Sequence, residues 1–188
     1  AFRVRTDHLE ARPLLLDHVL RTTKGQDLVV ISPDEGGVKR AHRFAKTLRA
    51  RSEQTVTVAF IEKIREAERV SGGTLIGDVH GRTAVIVDDM ISTGTTIRRA
   101  TEACAEGGAS SIYAAATHGV FVGNAPQILN TEHLNGIFVA NTIPPFRLEG
   151  TPVESKLHVC DVAPRLAKAI QAIHSGGSVA ALNAIDPG

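Results

Sequence analysis

The sequence predicts one doubly wound α/β domain, and two observations predict it. Strand-like apolar runs alternate with stretches of helical periodicity along the chain, the pattern of a parallel sheet joined by crossover helices. The length of 188 residues suits one domain, and a chain of that size buries roughly 70% of its unfolded surface.

The elements follow in order. Residues 27–32 (DLVVIS) form a continuous apolar run and read as a buried strand. Pro33, Asp34, Glu35, Gly36 and Gly37 make a turn, and a helix follows over about 38–50. Residues 55–61 (TVTVAFI) are rich in β-branched side chains and form a second strand, whereas the charged stretch 62–69 has no apolar face and reads as loop. Residues 83–87 (TAVIV) are the next buried strand. The helix after it starts near Thr95, carries Ile97, Ala100, Thr101 and Cys104 at i, i+3, i+4, i+7 spacing, and stops at Gly107-Gly108. Strands are expected over 112–117, 136–140 and 157–160. A last helix sets Val162, Leu166, Ala169, Ile170 and Ile173 on one side. Pro144-Pro145 and the segment 150–152 are loops within the domain, and there is no internal repeat.

Composition excludes several classes. Apolar residues are 43% and charged residues 22% of the chain, ordinary for a globular protein, and the net charge of +1 creates no long-range field. Lysines and arginines are scattered, apart from Lys39-Arg40 and Arg98-Arg99, so no nucleic-acid partner is expected; small anionic substrates fit. No apolar run reaches the ~18–20 residues of a membrane span, and no signal peptide is recognisable. Cys104 and Cys160 belong to no CxxC or Cys/His cluster, which argues for packing roles and a reducing cytoplasm. The pattern GxxxxGK[ST] is missing, which removes a P-loop NTPase. The chain opens Ala1-Phe2-Arg3-Val4 without an initiator Met, the start expected of a processed or excised piece.

In open α/β sheets ligands bind at the carboxyl ends of strands, so each strand-to-helix turn is a candidate site. After residues 83–87 come two adjacent carboxylates, Asp88 and Asp89, and then Ser92, Thr93, Gly94, Thr95 and Thr96 at a helix start. Hydroxyls and backbone N–H groups backed by a helix dipole suit a phosphate. Two unit charges ~4 Å apart repel by about 4 kcal/mol at an effective dielectric of 20, so the acid pair needs donors or a cation. The vicinal hydroxyls of a ribose supply the donors, and a magnesium ion held through water would supply the cation. One loop thus suits a ribose and its 5-phosphate; the plain alternative is a solvated strand end with an ordinary helix cap. The turn Ser32 to Gly37 is the second candidate, with a Pro/Gly connection in which Asp34 caps the next helix as its plain reading.

The run VIVDDMISTGTTI resembles the phosphoribosyl-pyrophosphate (PRPP) motif of the type I phosphoribosyltransferases. Its flanks, VISPDEGGVKRA, THGVFVG and NTIP, resemble in order and spacing the C-terminal half of the ribose-phosphate pyrophosphokinases, from about Asp7 to about Leu182. The resemblance implies a type I phosphoribosyltransferase-like α/β fold: a doubly wound, mostly parallel sheet with helices on both faces.

It also implies an enzyme for pyrophosphoryl transfer from ATP to ribose 5-phosphate, giving PRPP and AMP, with Mg2+ as cofactor. Asp88, Asp89, Ser92, Thr93, Gly94, Thr95 and Thr96 would bind ribose 5-phosphate or PRPP. Asp34, Gly36 and Gly37 would form a pyrophosphate loop with Asp34 as a magnesium ligand. Lys63 and Arg65 fall on the catalytic cations of the family's flexible loop, expected to be poorly ordered over 62–69 without ligand. Ile64 stands where the family commonly has another arginine, residues 66–68 lack its Pro and Asn pattern, and Ser92 replaces a usual aspartate. The family's N-terminal half, with much of the ATP site, has no counterpart in these residues, so the 188-residue chain is expected to bind ribose 5-phosphate without making PRPP. Homo-oligomers are usual in the family. The rivals are a free-standing phosphoribosyltransferase using PRPP, which should carry a hood for its base, and a non-catalytic regulatory homologue. His118, at a strand end beside the phosphate loop, is read either as a substrate contact or as a hydrogen-bonded structural residue.

Overall fold

Apolar runs without alternation need burial on both faces, and a sheet covered by helices on each side provides it. The computed structural model describes residues 3–4, 6–63 and 73–183. Strands β1 (Leu28–Ser32), β2 (Val56–Lys63), β3 (Gly73–Ile76), β4 (Thr83–Ile91), β5 (Ser111–Gly119), β6 (Gly136–Ala140) and β7 (Leu157–Cys160) form a seven-stranded sheet ordered β3-β2-β1-β4-β5-β6-β7. Every neighbouring pair is parallel except β2 with β3. The order reverses between β1 and β4, where Val30 lies beside Val85. That reversal opens a crevice at the carboxyl ends of the two strands.

Period-two alternation sends successive side chains to opposite layers. Leu28, Val30, Val85 and Phe138 pack with Leu16 and Val19 of α1 (Arg12–Thr22) and with Phe44 and Leu48 of α2 (Val38–Arg51). Val29, Ile31, Ile86 and Ile137 pack on the other side with Ile97 and Cys104 of α3 (Thr95–Glu106) and Leu129 of α4 (Ala125–Leu129). The α3 face is the one its spacing predicts, with Ile97, Ala100, Thr101 and Cys104 all buried.

Four differences from the sequence reading have physical causes. Helix α1 is unanticipated because only Leu15, Leu16 and Val19 of its eleven residues are buried, a weak stripe that gains its hold from the sheet beneath. Glu62 and Lys63, expected in a loop, belong to β2: backbone pairing with Thr74 and Gly73 holds them, which a search for apolar side chains does not see. The remainder of the expected loop, residues 64–69, lies outside the described residues. β4 runs on to Ile91, so Asp88 and Asp89 sit within the strand rather than after it, Asp88 opposite Ala116 of β5.

The fourth concerns α5 (Ala163–His174). Its apolar side does not enter the core, for Leu166, Ile170 and Ile173 are exposed and only Ala169 is buried. The helix is held instead by Arg165, which donates to the Glu10 carbonyl (2.6 Å), the Leu182 carbonyl (2.7 Å) and Asn183 Oδ1 (3.1 Å). Asn183 in turn accepts from Glu10 N–H at 2.9 Å and donates to the His8 carbonyl at 2.6 Å, clasping distant parts of the chain together.

The packing of one layer converges on Phe138, stacked between His158 (4.9 Å between ring centroids) and Tyr113 (5.9 Å) and almost wholly buried. Phe138→Ala is expected to lower unfolding stability by about 3–5 kcal/mol, the usual loss for an aromatic-sized cavity; urea denaturation followed by circular dichroism measures it.

Candidate functional site

Two turns meet at the crevice. The first follows β1. Asp34 caps a short 3-10 turn (Glu35–Gly37), its Oδ1 accepting from Gly37 N–H at 3.0 Å. Ser32 Oγ donates to the Asp34 carbonyl at 2.6 Å and fixes the turn from below. Glycine is required at 37 by crowding rather than by φ: a Cβ there would stand 2.6 Å from Ser32 Oγ and 3.2 Å from Arg40 Nη1. The capping geometry considered for Asp34 is therefore present, with Glu35 and Gly36 exposed at the tip of the turn.

The second turn follows β4. Gly94 has φ +81° and is buried, with a built Cβ only 2.8 Å from Leu129 Cγ, so both conformation and space demand glycine. It opens α3 without any side-chain cap, which leaves the first-turn N–H groups of a twelve-residue helix to other partners. Ser92, Thr93 and Thr95 are exposed beside them, and the Thr93 and Thr95 hydroxyls lie 3.1 Å apart.

This loop is braced by the segment after β5. Val120 and Phe121 N–H both donate to the Ile91 carbonyl (2.9 and 3.1 Å), and Val122 N–H donates to Ser92 O (3.0 Å). Phe121 is buried at φ 52°, the one non-glycine among the described residues with positive φ. Such strain persists where surrounding contacts over-determine it, commonly beside a binding site. His118 is exposed, and its Nδ1 lies 2.8 Å from Thr142 Oγ1.

Between the turns stand Asp88 and Asp89, and the cation that holds them is Arg40 from the first turn of α2. Its Nη1 donates to Asp88 Oδ1 at 2.7 Å and its Nη2 to Asp89 Oδ2 at 3.0 Å. Asp89 N–H also donates to Asp88 Oδ1 at 2.8 Å. Burial is the main influence on Asp88, whose side chain is 17% exposed, and it pushes the pKa up from 3.8 to about 6 against the pull of Asp89 N–H and Arg40. Asp89, 68% exposed, remains open to solvent. In the sequence Arg40 appears as half of the basic pair Lys39-Arg40 and within the flank VISPDEGGVKRA, with no role of its own. The signal available was position: an arginine three residues past the Gly37 turn, on a helix beside the acid pair's strand.

Lys63 ends β2 opposite Gly73, and Arg65 lies outside the described residues. Among the described residues no group of three or more His, Cys, Asp or Glu could hold a metal. A single carboxylate such as Asp34 still suits magnesium, which binds through one or two carboxylates together with waters and substrate phosphates. Burial raises the Cys104 thiol to about 12 and the Cys160 thiol to about 11, in keeping with packing roles. No helix among the described residues is long and apolar enough to cross a membrane.

The parallel sheet with its acid pair at the switch point defines a phosphoribosyltransferase-type α/β fold. Residues 51–183 match the phosphoribosyl synthetase-associated domain, and the chain belongs to that family. It is 40% identical to the ribose-phosphate pyrophosphokinases of Caldanaerobacter subterraneus and Clostridium acetobutylicum, over 96% and 92% of its own length and 55% and 52% of theirs. The crystal structure of phosphoribosylpyrophosphate synthetase from Mycobacterium smegmatis superposes with a TM-score of 0.81 at 36% identity, covering 94% of this chain and 54% of that one. The chain thus spans about half the length of these relatives.

Because its native pKa is raised, Asp88 contributes stability that is full below the ordinary 3.8 and is lost as the pH rises through about 6. Asp88→Asn lacks that loss. Its melting temperature relative to the unsubstituted protein should therefore climb as the pH goes from about 4 to about 7; a difference that stays flat across thermal melts would contradict the raised pKa.

Proposed function

We propose that the protein acts in pyrophosphoryl transfer from ATP to ribose 5-phosphate, with this chain supplying the acceptor site as one phosphoribosyltransferase-like domain over residues 1–188. The observation that carries the reading is the continuous run from Asp88 to Thr96, which sets two carboxylates beside an uncapped, hydroxyl-rich helix start. The 5-phosphate would take the first-turn N–H groups of α3 with the Ser92, Thr93, Thr95 and Thr96 hydroxyls, Gly94 giving the phosphate room. Asp88 and Asp89 would accept from the ribose 2- and 3-hydroxyls, which fixes the ring and leaves its C1 hydroxyl facing the Asp34–Gly36–Gly37 turn.

In the reaction the C1 oxygen attacks the β-phosphorus of ATP. The bond from that phosphorus to the α,β-bridging oxygen breaks, AMP leaves with the bridging oxygen, and the hydroxyl proton passes to solvent. Asp34 would hold magnesium carried on the ATP phosphates, where the ion neutralises phosphate charge. Lys63 and Arg65 would stabilise the charge that develops on the transferred group, since phosphoryl-type transfer depends mainly on positioning and neutralisation. ATP, ribose 5-phosphate and PRPP are the ligands on this reading. A cytoplasmic setting and self-association belong to it, the first supported by two buried free thiols.

Two expectations test it. The 188-residue chain should bind ribose 5-phosphate in calorimetry yet form no PRPP with MgATP, because it spans about half the length of the pyrophosphokinases it matches and its described residues form no cluster of three or more metal-ligand side chains. Absent sugar-phosphate binding would remove the acceptor assignment, and robust turnover would remove the need for more protein. In a catalytically active form, Lys63→Ala should lower kcat by orders of magnitude with KM for ribose 5-phosphate nearly unchanged. A parallel loss of binding in steady-state kinetics would assign Lys63 to the ground state instead.

A further inference from the structure

The guanidinium of Arg40 occupies the positions at which a ribose would bind. Its two terminal nitrogens each donate to one carboxylate, Asp88 at 2.7 Å and Asp89 at 3.0 Å. A vicinal diol presents the same thing, two donors on adjacent atoms, one for each acid. Asp88 Oδ1 already accepts twice, from Arg40 and from Asp89 N–H. Arg40 and a bound ribose diol therefore compete for the same oxygens.

The position of Arg40 gives it somewhere else to go. It stems from the first turn of α2, and Nη1 lies so near the pyrophosphate-loop candidate that a Cβ on Gly37 would stand 3.2 Å from it. The side chain is 37% exposed, so solvent and a dissolved anion can reach the guanidinium. On its other side a cavity of about 330 Å3, bounded also by Leu9, Arg12, Asp88 and Asp89, leaves the acid pair accessible from the direction of α1. An anion seated on the Asp34–Gly37 turn would offer the guanidinium a bidentate partner of the kind arginine favours. Leaving the acids without such a partner would strip them of their counter-ion.

Resting on the acceptor assignment above, we propose that Arg40 is a displaceable internal counter-ion that couples the two turns. It holds Asp88 and Asp89 in the empty site; a polyphosphate at the Asp34–Gly37 turn draws it away, and the ribose hydroxyls take its place. Binding at either turn then strengthens binding at the other by the same factor, since linkage is reciprocal. Arg40 is a positioning residue in this scheme, and it makes the site favour having both substrates over having one.

The test is calorimetric titration of ribose 5-phosphate with and without saturating inorganic pyrophosphate, and the reverse titration, on the unsubstituted chain, Arg40→Ala and Arg40→Lys. Pyrophosphate should raise ribose 5-phosphate affinity about tenfold in the unsubstituted chain, within the usual range of coupling. Arg40→Ala should bind ribose 5-phosphate alone at least as tightly, with the enhancement gone. Arg40→Lys keeps the charge without the fork, folds with the least disturbance, and should retain only part of the enhancement. A tenfold or greater loss of ribose 5-phosphate affinity in Arg40→Ala would make Arg40 an ordinary substrate contact and overturn the proposal. So would full enhancement in Arg40→Ala, or binding of both ligands to the unsubstituted chain without any enhancement; these leave the acceptor assignment standing. No ribose 5-phosphate binding by the unsubstituted chain removes both.

Discussion

Two negative charges on consecutive residues at the end of a central strand have to be neutralised, and much of the molecule's arrangement around the crevice follows from that. Asp88 and Asp89 are carried by β4, which is buried on both faces up to Val87 and has no freedom to turn them apart. Their counter-charge comes from α2, whose position is fixed by Phe44 and Leu48 packing on the same sheet layer as Val85 and Val87. The strand order brings β1, the turn after it and α2 beside β4, so the ion pair closes a circuit made by the sheet. The ion pair links the helix that follows one turn to the strand that precedes the other.

The loop after β4 shows how the remaining precision is obtained. A glycine with positive φ allows α3 to start close against Leu129, and three backbone hydrogen bonds from Val120, Phe121 and Val122 hold the carbonyls of Ile91 and Ser92. Rigid surroundings are what the proposed phosphate cradle would need, because amide donors that must reorganise lose much of their advantage. The exposed hydroxyls are thus presented by a backbone that is pinned from behind.

Much of this was legible in the amino-acid order, for identifiable reasons. Strands β1, β4 and β6 announce themselves because burial on both faces leaves uninterrupted apolar runs, and α3 because one face alone is buried. The acid pair and hydroxyl-rich turn stand out because such chemistry is rarely contiguous. Other features depend on partners distant in sequence. α1 has too few apolar residues to be read without the sheet beneath it, and the end of β2 is set by pairing with β3. Arg40 looks like any surface arginine until β4 is placed beside α2. The stripe on α5 is genuinely periodic but faces solvent in this chain, so periodicity there correctly gave a helix while saying nothing about what, if anything, covers it.

The clasp made by Arg165 and Asn183 has a consequence for the order of assembly. Three of its five hydrogen bonds join residues separated by 155 to 175 positions, nearly the full span of the described chain, whereas β4 and β5 meet across a single helix. Bringing such distant groups together in an unfolded chain carries a large loop-closure entropy, and the clasp itself returns only a few polar contacts. The sheet and its crevice can form before this closure does, and the closure can open while they persist. Fraying should accordingly begin at the clasp, and protection of amide hydrogens should rise from there toward β1 and β4, so that the crevice sits in the last part of the molecule to come undone.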